Sequence, residues 1–115
     1  MSNAVIELTA VTFDEMVTVA DVPVVVEFWA PWCPPCKTMA PVLDVMANDD
    51  LDRVRVAKVN ADEQPELARR YEVVSVPTLL VFIEGDLRRR LVGARSRAAL
   101  LNEVAEVSGS LRASL

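Results

Sequence analysis

The segment that most limits how this chain can fold is an apolar run that ends in two closely spaced cysteines. Residues 24–29 read Val, Val, Val, Glu, Phe, Trp. They are β-branched and aromatic, and apolar on both faces of an extended chain except at Glu27, the pattern of a central strand buried on both sides. Cys33-Pro34-Pro35-Cys36 follows at once. Beyond it, Met39, Val42, Leu43 and Met46 recur at helical spacing over about residues 37–47, with Pro41 inside and expected to kink the helix. A buried strand that runs into a helix needs further strands and helices to cover it, so an α/β architecture is expected.

The remaining segments supply that cover. Residues 5–8 read as a short first strand, and Thr12 and Glu15 have capping-box spacing for a helix through about Val19. Residues 54–59 form a further strand, and Asp62 is expected to cap a helix that has Pro65 in its first turn and ends near Tyr71. Residues 78–83 make another buried strand, with a hairpin turn at 84–86 and an edge strand at 87–92. Ser96 caps a last helix whose apolar face carries Leu100, Leu101, Val104 and Val107. Residues 108–115 are expected to be a frayed tail beyond a single domain of residues 1–107. The order is β-α-β-α-β-α-β-β-α. Strand–helix–strand units imply parallel pairing and the final hairpin an antiparallel edge, hence a mixed sheet with helices on both faces.

Composition narrows the function. The chain has 115 residues, 52% of them hydrophobic and 25% charged, enough for one domain with a real core. A net charge of −5 repels a phosphate backbone, so nucleic acid is a poor partner. No segment approaches the roughly 18 apolar residues of a membrane span. The first twenty residues lack the basic start and apolar stretch of a secretory signal, which implies a cytoplasmic location. Arg88, Arg89 and Arg90, on the expected edge strand, read as a guard against sheet-to-sheet association more readily than as a site for an acidic partner.

Cys33 and Cys36 are the two cysteines of the chain, and it has no histidine. A bridge across so short a loop does little to staple a fold, because the stabilisation grows with loop length. Half a zinc site is the other bland reading. Structural zinc needs four Cys or His ligands, and one chain supplies two, so no metal is expected. The pair makes sense as redox chemistry. A helix N-terminus favours an anion, and a thiolate there is the reactive form of cysteine. Cys33, at the first turn, should be exposed and nucleophilic. Cys36, one turn in, should be more buried and placed to attack a mixed disulfide. Glu27 is a lone carboxyl in an apolar strand: burial raises its pKa, a cation at Lys58 would lower it, and a group so poised can relay a proton. A buried ion pair with no kinetic role is the alternative. Trp29 is expected in the core and Trp32 at the surface.

Three segments together resemble the thioredoxin family. Residues 26–37, VEFWAPWCPPCK, look like its active-site segment, Val76-Pro77-Thr78 like its cis-proline segment, and Val92-Gly93-Ala94 like its glycine turn. The resemblance runs in order over nearly the whole chain. It implies the thioredoxin fold and a protein-disulfide reductase that needs no bound cofactor beyond its own Cys33–Cys36 disulfide. It implies disulfide-containing protein substrates and electrons from a flavin-dependent thioredoxin reductase using NADPH, and the chain is expected to act as a monomer. It also implies that Glu27 moves protons with Lys58 as its partner, that Pro77 is cis and lies against the disulfide, and that Trp32, Val76, Pro77, Gly93 and Ala94 line the substrate groove.

Two departures stand out. The family usually has Gly-Pro between the cysteines; here Pro34 and Pro35 leave Cys36 as the one near N–H donor. Fewer donors make the pair more reducing, while the stiffer loop acts in a direction the sequence leaves open. Glu27 stands where many members have Asp. The absence of histidine between the cysteines leans toward a reductant. The competing functions are an oxidase or isomerase of exported proteins, which needs an oxidising compartment, and a binding module of the same fold whose thiols are idle.

Overall fold

A computed structural model describes residues 4–113, with residues 109–113 as helical backbone only. Nine elements follow in order: β1 (Ile6–Glu7), α1 (Phe13–Val19), β2 (Val24–Trp29), α2 (Pro34–Asp49), β3 (Arg55–Asn60), α3 (Pro65–Arg70), β4 (Thr78–Ile83), β5 (Asp86–Val92) and α4 (Arg97–Ala113). The element order is the expected one, and the strands form one mixed sheet, β1-β3-β2-β4-β5.

Side-chain alternation along the strands divides the core into two layers. Val24, Val26 and Phe28 of β2 pack with Ala57, Val59, Leu80 and Phe82 against Phe13 and Val17 of α1 and Leu67 of α3. Val25 packs with Val56, Leu79 and Val81 against Met39, Leu43 and Met46 of α2 and Leu100 and Val104 of α4. The period of two puts Glu27 on the same face as Val25, Lys58 on that of Val56, and Glu7 on that of Val5. All three charges therefore lie on the sheet face covered by α2.

Several local expectations change. β4 pairs antiparallel with β2, so the antiparallel half of the sheet begins at β4 and not at the last hairpin. α3 is a single short helix, and the chain after it re-enters the sheet beside β2 in the opposite sense to the parallel β1, β2 and β3. The Thr12–Glu15 capping box does not form: Thr12 Oγ1 accepts from the N–H of Thr9 at 3.0 Å. Gln64, not Asp62, is the N-cap of α3. Ser96 does cap α4, its Oγ accepting from the Ala99 N–H at 3.1 Å. α4 continues to Ala113, past the end expected near Val107, so residues 108–113 carry on the helix where a frayed tail was expected. At the hairpin, Glu84 and Gly85 have φ of 52° and 86°, the left-handed pair that a tight two-residue turn requires. Arg89 turns from edge strand β5 onto α4, pairing with Glu103 at 3.1 Å and Glu106 at 3.4 Å.

Candidate active site

The loop after β2 delivers Cys33 to the start of α2, and Cys33 is the N-cap of that helix. Pro34 and Pro35 fill the first helical positions, where a missing N–H leaves no hydrogen bond unmade. The first donor aimed at the cap is then the Cys36 N–H, which reaches Cys33 Sγ at 3.2 Å. This is the role a serine oxygen plays in an ordinary N-cap, performed here by sulfur. The two cysteines are joined as a disulfide, with Cα atoms 5.3 Å apart.

In this oxidised state Cys33 is 2% exposed and Cys36 4%. The expectation of an exposed Cys33 above a buried Cys36 is corrected. Both sulfurs pack with Ala30, flanked by Trp29 and Val76, so a bound disulfide leaves neither of them open to solvent. The Val76–Pro77 bond is cis, as the resemblance implied. The buried Pro77 accepts through its carbonyl from the N–H of Gly93 at 2.8 Å, which ties the cis-proline segment to the glycine turn. Gly93 has φ of 98°, a conformation that favours glycine. Arg95, which the sequence reading did not single out, fixes that turn. Its guanidinium donates to the carbonyls of Val92, Gly93 and Ala94 at 3.0–3.3 Å.

Behind Cys36 lies a cleft of about 480 Å³ lined by Glu27, Trp29, Cys36, Lys37, Asp44 and Lys58, among others. Glu27 is 3% exposed, and its Oε2 has no hydrogen-bond partner. Burial pushes its pKa up to about 7; the Lys58 charge pulls it down and the Glu7 charge pushes it further up. Glu27 and Lys58 are opposite each other in the β2–β3 ladder. Even so, Lys58 makes its ion pair with Glu7, at 3.8 Å, and lies over the Trp29 ring at 5.1 Å. The expected Glu27–Lys58 pair is thus replaced by a longer-range influence. Trp29 is half-buried and not a core residue, and its Nε1 donates to Glu7 Oε2 at 3.3 Å. No sequence signal marked Glu7, because β1 is too short for its register to be read before folding.

A second, more open groove of about 820 Å³ lies beside the disulfide, lined by Trp32, Pro65, Arg69, Val74 and Val76 among others. Trp32 is 67% exposed and fixed by a 2.9 Å hydrogen bond from Nε1 to Asp62 Oδ2. Of the expected groove residues, Trp32 and Val76 line this space, whereas Pro77, Gly93 and Ala94 do not.

The thioredoxin family model matches residues 4–106. The chain belongs to the thioredoxin family. It is 44% identical over 109 residues to thioredoxin of Mycobacterium tuberculosis H37Rv, covering 95% of this chain and 94% of that one. It is 44% identical over 95 residues to thioredoxin 1 of Synechococcus elongatus, covering 83% and 89%. It is also 42% identical over 110 residues to the bifunctional thioredoxin reductase/thioredoxin of Mycobacterium leprae, covering 96% of this chain and 24% of that longer one. With the thioredoxin sheet and the bonded Cys33–Cys36 pair, this makes the chain a thiol–disulfide oxidoreductase of the protein-disulfide reductase type. Among the described residues no cluster of His, Cys, Asp or Glu is arranged to hold a metal ion.

Proposed function

We propose that Cys33 is the attacking sulfur, Cys36 the resolving sulfur and Glu27 the proton relay of disulfide reduction. The reduced Cys33 thiolate attacks one sulfur of a substrate disulfide. That bond breaks, a mixed disulfide forms at Cys33, and the departing substrate thiolate takes up a proton. Glu27, ionised at that moment, accepts the Cys36 proton through the cleft; the Cys36 thiolate then attacks Cys33 Sγ, and the second substrate thiol leaves. Two electrons pass to the substrate, and the protein ends with the Cys33–Cys36 bond. A carboxyl whose pKa is about 7 both holds and yields a proton at neutral pH, which suits this task.

The observation that carries the reading is the N-cap geometry: Cys33 Sγ receives the Cys36 N–H at 3.2 Å at the start of α2, where a helix stabilises negative charge. The groove beside Trp32 and Val76 receives an extended segment flanking the substrate disulfide. Electrons return from a flavin-dependent reductase using NADPH, a reading supported by the Mycobacterium leprae relative, whose name joins a thioredoxin reductase to a thioredoxin. The protein acts as a monomer in the cytoplasm, where a reductant finds a reducing thiol pool. The test is reduction of insulin by dithiothreitol with wild-type protein and Cys33→Ser. Strong acceleration that is lost in the variant is the expected result. No acceleration by either protein contradicts the reading.

A further inference from the structure

Three charged residues meet on the sheet face beneath α2. Lys58 stands opposite Glu27 on one neighbouring strand and opposite Glu7 on the other. One ammonium between two carboxylates forms its close pair with one of them, and here that partner is Glu7. Glu7 uses Oε2 to accept from the Trp29 indole N–H and Oε1 to face the Lys58 ammonium. Trp29 adds its ring beneath the same ammonium. Glu27 receives neither group, and its Oε2 stays unpartnered. The physical reason lies in burial. Glu7 lies at the surface on an edge strand, where water also solvates the ion pair, whereas ionising Glu27 needs a charge in a dry site.

We propose that Glu7 is a positioning residue for disulfide exchange: it holds the Lys58 ammonium at the rim of the cleft and so leaves Glu27 without a cation partner. The proposal rests on the reading of Glu27 as the proton relay. Were Lys58 to turn inward, it would favour the carboxylate, and Glu27 would become a weaker base, less able to take and hold the proton that Cys36 gives up. The other charged groups on the cleft are Lys37 and Asp44 of α2, which carry opposite signs, and the charges that act on Glu27 are those of Lys58 and Glu7. From β4 the neighbour of Glu27 is the apolar Leu79. Lys58 is therefore the cation whose placement decides the charge state of Glu27, and Glu7 decides that placement.

The experiment is a direct titration of the Glu27 carboxyl by carbon-13 NMR in the full chain, paired with the pH profile of insulin reduction. Glu7→Gln keeps an acceptor for Trp29 and removes the charge. It is expected to lower the Glu27 midpoint by about one pH unit and to carry the reduction profile with it. Glu7→Asp, which keeps the charge, is expected to stay close to the native midpoint. In a Lys58→Met background, Glu7→Gln is expected to shift the midpoint far less, because the effect runs through the ammonium. An unmoved midpoint in Glu7→Gln, or an equal shift with and without Lys58, overturns the proposal while leaving the relay reading intact. A midpoint that moves while reduction rates stay constant overturns the relay reading of Glu27, and with it the part of Glu7 in exchange.

Discussion

The backbone N–H of Cys36 donates to Cys33 Sγ across 3.2 Å, and within that turn it has no competitor. An N-cap side chain accepts from the second or third helical N–H, and Pro35 at the second position has none, so the start of α2 offers the cap sulfur one donor where a non-proline residue there would give two. Pro35→Ala supplies the missing donor. The pH midpoint of Cys33 alkylation in the reduced variant is expected to fall, and its reduction potential to rise. Iodoacetamide kinetics between about pH 5 and 9 read the first effect. An unchanged midpoint would assign the character of the pair to loop stiffness instead.

Glu27 links chemistry to stability. Its folded-state pKa of about 7 lies above the ordinary value it regains on unfolding, with burial as the main cause. The folded state therefore binds the extra proton, and the stability this confers is full below the unfolded value and lost as pH rises through about 7. Glu27→Gln removes that loss. It is expected to gain on the wild type by about 3 kcal/mol in urea unfolding as pH rises from acid to alkaline. The same variant is expected to slow insulin reduction at neutral pH by about tenfold or more, while staying folded. A stabilised variant with native rates would make Glu27 a burden without a task.

Asp62 holds an exposed tryptophan in place. Its Oδ2 accepts from Trp32 Nε1 at 2.9 Å, and the indole forms one wall of the groove beside the disulfide. Asp62→Ala frees the ring, and the lost preorganisation is worth about 1 kcal/mol, or roughly a fivefold rise in KM for a protein disulfide. A small aromatic disulfide, which does not need the groove, is expected to react at the native rate. Equal losses with both substrates would place the effect at the sulfurs and not in the groove.

Asp50 closes α2 and receives both Nε and Nη2 of Arg97 at 3.0 and 3.1 Å, joining the end of α2 to the start of α4. The Arg97 hydrogen bonds hold its pKa below the ordinary carboxylate value. The pair thus contributes stability above the unfolded value and loses it as pH falls through the lower folded value. Asp50→Ala is expected to cost about 1–3 kcal/mol at neutral pH, with the difference from wild type narrowing in acid. Paired denaturant curves at the two pH values check both the size and the sign.

Much of this was legible because the informative residues are local. β2 and β4 are apolar runs that only a buried strand explains, and the cysteine pair sits where a strand meets a helix. Glu27 stood out as the one charge in its strand. What stayed hidden depends on residues distant in sequence. The partner of Lys58 is set by β1, an edge strand of two residues whose register no periodicity reveals. Asp62 has good helix-capping chemistry, but the chain starts α3 two residues later, and Trp32 takes its oxygen. The direction of β4 follows from where the chain packs after α3, not from any pattern within 78–83. The burial of Cys33 arises from Ala30 and Val76 closing over the bonded sulfurs.

The central claim is that Cys33 attacks and Cys36 resolves. Cys36→Ser, reduced and mixed with a disulfide peptide, tests it directly through the mass of the covalent adduct and the residue that carries it. A stable one-to-one adduct on Cys33, absent in Cys33→Ser, is the predicted result. No adduct in Cys36→Ser, or an equal adduct on Cys36 when Cys33 is replaced, would contradict the account.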